Sequence, residues 1–122
     1  MRDYRKLEVW SLGRAYVVEC YRATKDFPDS ERFGLMAQIR RSAVSIPANI
    51  AEGAGRDSEG DFLRFLRISL GSLNEVETLL EVSFDLGFIN DDRLRELGVR
   101  SRDLGVRLRN HASRVEADLS RA

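Results

Sequence analysis

Four stretches of this chain carry apolar residues at alternating spacings of three and four, and short breaks separate them. That period puts one apolar stripe on each of four α-helices and leaves no pattern for a strand. The first predicted helix covers about residues 6–25, with Val9, Gly13, Tyr16, Cys20 and Thr24 on its stripe. Phe27-Pro28 ends it, because a residue ahead of proline is driven out of α space. The second covers about 31–53, with Ser30 as the expected N-cap and Leu35, Ile39, Ala43, Ile46 and Ile50 as core. The third covers about 59–86: Ser58 and Asp61 form an aspartate version of the capping box, and Gly87 is the expected left-handed stop. The fourth covers about 91–119, where Leu94, Leu97, Ser101, Leu104, Leu108, His111 and Val115 form a narrow, coiled-coil-like seam. Connections this short favour antiparallel neighbours, so the expected fold is a single all-α domain over 1–122, an antiparallel up-and-down four-helix bundle. Pro47 falls inside the second helix. It removes one amide donor and crowds the Ala43 carbonyl, so a kink is expected there, with Ser45 or a water satisfying that carbonyl.

Little in the chain suggests chemistry. Cys20 is the only cysteine, which excludes an internal disulfide and a cysteine zinc site, and its place on an apolar stripe predicts a buried, inert thiol. His111 is the only histidine and lies on the fourth helix's seam, with no nucleophile or orienting partner at a telling spacing. Glu77 and Glu81 are one turn apart, but the Glu-x-x-His pattern of a di-iron bundle is absent. Gly53-x-Gly55 has no strand before it, as a phosphate-gripping loop requires. No enzyme activity, metal or cofactor is expected. Arg2, Asp3, Arg5, Lys6 and Glu8 interrupt any signal-peptide core, and no apolar run approaches the roughly 20 residues of a membrane span, so a soluble cytoplasmic protein is expected.

Two helices have more apolar surface than a monomeric bundle uses. On the third, apolar side chains span about 220° of the circumference at ~100° per residue. Glu77 lies within that arc and needs a partner, for which Arg40 or Arg41 is the candidate. On the second, a row of small side chains (Ala37, Val44, Ala48 and Ala51) lies opposite the core stripe. Beside it runs a polar row, Gln38, Arg41, Ser45, Asn49 and Glu52, of groups able to satisfy one another when partly buried. These rows are expected to form a subunit interface, or a structural polar network around Pro47, in a homo-oligomer.

The formal net charge is zero, from 20 basic and 20 acidic residues, so electrostatic function must come from segregation. Residues 75–92 contain acids and no base, whereas Arg93 to Arg114 is rich in arginine; Lys6 and Lys25 are the only lysines. Two outcomes are open: neutralisation between neighbouring helices, or a basic face that binds phosphates. For the second, Arg40, Arg56, Arg64, Arg67, Arg107 and Arg114 are the candidates. Aromatics do not interleave with these arginines in sequence, so contact would be with the nucleic-acid backbone.

The segment FPDSERFGLMAQIRRSAVSIPANIAEGAGR (27–56), above all Ser45-Ile-Pro-Ala-Asn-Ile-Ala-Glu-Gly53, resembles the signature of the small four-helix proteins encoded in intervening sequences of bacterial 23S ribosomal RNA genes. Residues 62–89 and Leu7-Glu8-Val9-Trp10 are also similar; the fourth helix matches only in general character. Phe33 departs from the tyrosine common in relatives. The resemblance implies an antiparallel bundle assembled as a barrel-like homopentamer. One branch, the accessory proteins of diversity-generating retroelements, binds nucleic acid. The combined expectation is a non-enzymatic homo-oligomer that binds structured RNA or DNA through arginines. The alternative is a homo-oligomeric scaffold that docks a protein partner without nucleic acid.

Overall fold

A computed structural model describes residues 2–121. Its four helices are α1 (Glu8–Thr24), α2 (Leu35–Ala54), α3 (Glu59–Asp85) and α4 (Asp91–Arg121), and no strand occurs among the described residues. Short 3-10 turns at Tyr4–Lys6 and Asp29–Glu31 precede α1 and α2. The apolar stripes meet in one core, where Ile39, Ile46, Ile50, Phe62, Leu66 and Leu108 are fully buried. α2 packs on α1 and α3, and α4 packs on α3 and α1.

α2 begins later than its sequence signals suggest. Ser30 lies in the Asp29–Glu31 turn, and the Glu31 carboxylate accepts the Leu35 N–H at 3.0 Å, doing what was expected of Ser30. The two ends of α3 follow their signals. The Ser58 hydroxyl accepts the Asp61 N–H at 3.1 Å. At the other end Gly87 has φ +82°, and the Phe88 and Gly87 amides donate to the Ser83 and Phe84 carbonyls, each at 2.9 Å. This doubled closure needs a left-handed residue, which glycine supplies without a Cβ clash.

Serines stitch α2 to α3. Ser69 donates to the Ile46 carbonyl at 2.9 Å, Ser45 and Ser72 hydroxyls lie 2.6 Å apart, and Ser42 donates to Glu75. Ser45 also bonds the Ser42 carbonyl at 2.8 Å, so the carbonyl freed by Pro47 is not the one it serves. The helix passes through Pro47 to Ala54, and the proline ring packs beside Gly13 of α1. Gly53 has a packing role rather than a capping one. A Cβ there would lie 2.6 Å from Phe65 Cβ and 3.2 Å from Phe62 Cδ1, so glycine is what lets α2 and α3 approach.

At the chain's start, the Arg2 amide donates to the Ala54 carbonyl at 2.9 Å, and its guanidinium grips Glu59 at 2.6 and 2.5 Å. Glu19, late in α1, faces the start of α4, with Arg93 at 3.3 Å and Arg100 at 3.8 Å.

Candidate functional site

The polar row of α2 divides. Ser45 turns onto α3, and Asn49 donates to the Ser45 carbonyl at 2.8 Å. Gln38, Arg41, Ala48 and Glu52 stay exposed, and Glu52 pairs with Arg56 at 2.9 Å. Glu77 is paired with neither Arg40 nor Arg41. Its carboxylate accepts from Ser101 on α4 at 3.4 Å, because its side of α3 faces α4 rather than α2. The carboxylate that meets α2 is Glu75.

The candidate arginines are mostly engaged within the chain. Arg56 pairs with Glu52, Arg64 approaches Asp61 at 3.9 Å, and Arg67 pairs with Glu116 of α4. Arg107 bridges Glu8 at 2.6 Å and Asp103 at 3.0 Å. Arg40 donates to the Thr24 hydroxyl at 3.0 Å and the Tyr21 carbonyl at 3.2 Å, tying down the end of α1. Arg114 alone of the six has no hydrogen bond or carboxylate partner among the described residues; it borders a concave pocket with Lys6, Arg107 and His111. The sequence order hid one relation: Arg40 lies over the Tyr21 ring at 4.4 Å, and Arg56 and Arg64 flank Phe65 at 5.0 and 4.5 Å.

An uncovered, partly apolar surface follows the outside of the α1–α2 pair. Phe33 is 87% exposed, Val44 43% and Tyr21 41%. Met36, Ala37 and Val44 line its upper half, and Trp10, Pro47, Ala48 and Ala51 its lower half; Val44 joins the two. Arg14, Arg32 and Arg41 border it without a carboxylate partner among the described residues, Arg14 over Trp10 at 5.4 Å and Arg32 over Phe33 at 5.5 Å. The small-residue row of α2 pointed to this surface. The contribution of α1 was missed, although Trp10, Arg14 and Tyr21 lie off its core stripe at helical spacing. On the other flank of α2, α3 exposes Ile68 and Val82 in a row with Glu75, and Leu86, just past its end, is 56% exposed.

Reactive groups are muted. Burial pushes the Cys20 thiol up to about 12, so thiolate is scarce at neutral pH. Burial holds the half-buried His111 below its ordinary range, helped by Arg114 and Arg2 and opposed by Glu59. Its ring meets Phe62 edge-on at 5.4 Å. Among the described residues no cluster of three or more metal-ligating side chains occurs, and no helix is long and apolar enough to cross a membrane.

The described residues form an all-α chain of four helices. Residues 5–110 match the 23S rRNA-intervening sequence proteins, and the chain belongs to that family. It is similar to a solved protein of unknown function from the S23 ribosomal protein family of Bacteroides thetaiotaomicron VPI-5482. The two are 26% identical with a TM-score of 0.80, over 86% of this chain and 95% of the other. No curated protein matches it.

Proposed function

We propose that this chain is a non-enzymatic, cytoplasmic, self-associating helical bundle that binds nucleic-acid phosphates through arginines left free by its internal ion pairs. The observation that carries self-association is the open α1–α2 face, with Phe33 87% exposed. A patch of aromatic and small side chains of this kind is typical of surfaces that another chain covers. The contacts of the α1–α2 face with the α3 row would be head-to-tail. One side carries Arg14, Arg32 and Arg41, and the other, from Glu75 onward, lies in a segment, 75–92, with acids and no base. Unlike, complementary surfaces repeat around a closed ring, and the family resemblance gives five as the expected number of copies.

Within each subunit, we take the helices as an antiparallel bundle with α2 bent at Pro47. Arg2 beside Ala54, Gly13 beside Pro47 and Thr24 beside Arg40 support α1 and α2 running in opposite directions. The phosphate-binding half of the reading rests on Arg114 and Lys6, which line the pocket between α1 and α4. Arg56, Arg64 and Arg67 could join only by exchanging a carboxylate for a phosphate.

Fluorescence anisotropy of a labelled structured RNA and a matched DNA duplex, across a salt series, tests the nucleic-acid half. Expected is binding that weakens steeply with salt and is blunted by Arg114→Gln with Lys6→Gln. No binding at low salt rejects that half and leaves the α1–α2 face to a protein partner or to self-association alone.

A further inference from the structure

Where the chain enters α1, a concave pocket of about 260 Å³ lies between the first turn of that helix and α4. Lys6, Glu8, Arg107, Asn110, His111 and Arg114 line it. Its walls hold three cations, Lys6, Arg107 and Arg114, against one carboxylate, Glu8. Glu8 and Asp103 fix Arg107 at 2.6 and 3.0 Å, which sets its guanidinium at the pocket edge. Lys6 and Arg114 have no carboxylate partner among the described residues, so their charge is available to a ligand. Leu7, at the start of α1, has no side-chain oxygen to cap the first amides of the helix, which adds positive potential to the same wall.

We propose that this pocket binds a phosphomonoester group: free phosphate, or the terminal phosphate of a nucleotide or nucleic acid. A dianion matches the two cations without carboxylate partners, Lys6 and Arg114, with Arg107 held in place beside them by Glu8 and Asp103. A monoester presents three free oxygens to such a concave cationic site. A backbone diester presents two and carries a substituent on either side. Asn110 contributes a neutral donor. The proposal deepens the phosphate-binding half of the proposed function by naming the group recognised. It does not depend on self-association, since every wall comes from one chain.

His111 is the built-in reporter, being the only histidine. The groups facing it are Arg2 from the chain's start, Glu59 and Phe62 from α3, and Arg114 from its own helix. An anion seated beside Arg114 offsets the positive field at the ring and raises its pKa. The test is an NMR pH titration of the His111 ring in the full chain, alone and with inorganic phosphate, a 5′-phosphorylated RNA, or the same RNA ending in a 5′-hydroxyl.

Expected is an upward shift with phosphate and with the phosphorylated RNA, and none with the hydroxyl RNA. Lys6→Gln and Arg114→Gln should each weaken phosphate binding by about tenfold or more, the scale of one charge-assisted hydrogen bond. Neither residue has an internal partner to lose, and circular dichroism checks that both variants fold. A His111 titration unchanged by phosphate and by phosphorylated RNA overturns the proposal. If RNA binds by anisotropy while His111 stays unmoved, the pocket is wrong and nucleic-acid binding runs through arginines elsewhere on the chain. If the hydroxyl RNA moves His111 equally, recognition of the monoester is refuted.

Discussion

Replacing Gly53 by alanine sets two effects of known size against each other. In a helix interior, alanine is favoured over glycine by about 1 kcal/mol. At this site the new Cβ would stand 2.6 Å from Phe65 Cβ and 3.3 Å from Phe65 Cγ. Phe65 Cβ is one bond from the backbone of α3, so a rotamer change cannot move it away. Relief requires α2 and α3 to separate by roughly 1 Å, enough to strain the Ser69–Ile46 bond at 2.9 Å and the Ser45–Ser72 pair at 2.6 Å. Overpacking of this kind costs about 1–3 kcal/mol, so Gly53→Ala should be a net destabilisation of up to about 2 kcal/mol. Gly71, mid-way along α3, is the control: a Cβ there meets nothing within 4 Å, and Gly71→Ala should stabilise by about 0.5–1 kcal/mol. Urea unfolding followed by circular dichroism, at one fixed protein concentration, measures both. A Gly53→Ala protein stabilised as much as Gly71→Ala would refute the claim that this glycine exists for close approach.

Three further outcomes are expected. Tyr16 is buried and its hydroxyl has no hydrogen-bond partner among the described residues, so Tyr16→Phe should raise stability by about 1 kcal/mol in the same urea assay. Phe33→Ser should leave the unfolding of a dilute monomer within about 0.5 kcal/mol, because the ring is almost wholly exposed, yet reduce self-association measured by sedimentation velocity. His111 is held below its ordinary pKa in the folded chain, so the unfolded chain takes up that proton first as pH falls. Its contribution is therefore intact above the ordinary histidine value and lost as pH falls from there through the folded value. Unfolding midpoints at neutral and mildly acidic pH should show a smaller acid loss in His111→Gln than in the parent.

The helices were legible because burial repeats with the helical period, and Ser58 and Gly87 acted within their own turns. The start of α2 was not, since the Glu31 side chain overrode Ser30 by reaching four residues ahead. Glu77 was assigned to the wrong helix because an apolar arc wide enough for two neighbours does not say which one each position faces. The arginines show the same limit more sharply. Arg67 with Glu116, and Arg107 with Glu8, join residues 49 and 99 positions apart, which depends on how whole helices are rotated. The signature segment pointed to the family, but not to the neighbour of Gly53, which is Phe65 on the next helix. The small residues of α2 marked half of the open face. Its other half comes from Trp10, Arg14 and Tyr21, whose off-stripe positions on α1 carried the same signal.

The central claim is head-to-tail self-association between the α1–α2 face and the α3 row, and a mixing experiment tests it most directly. Val44→Lys damages the first face and Val82→Lys the second, both at exposed positions. Alone, each variant should be monomeric by native mass spectrometry, while the parent forms a closed oligomer. Mixed in equal amounts, they should form a one-to-one heterodimer through the two undamaged faces and stop there. A parent chain that stays monomeric at micromolar concentration, or variants that assemble alone as well as the parent, would contradict the account.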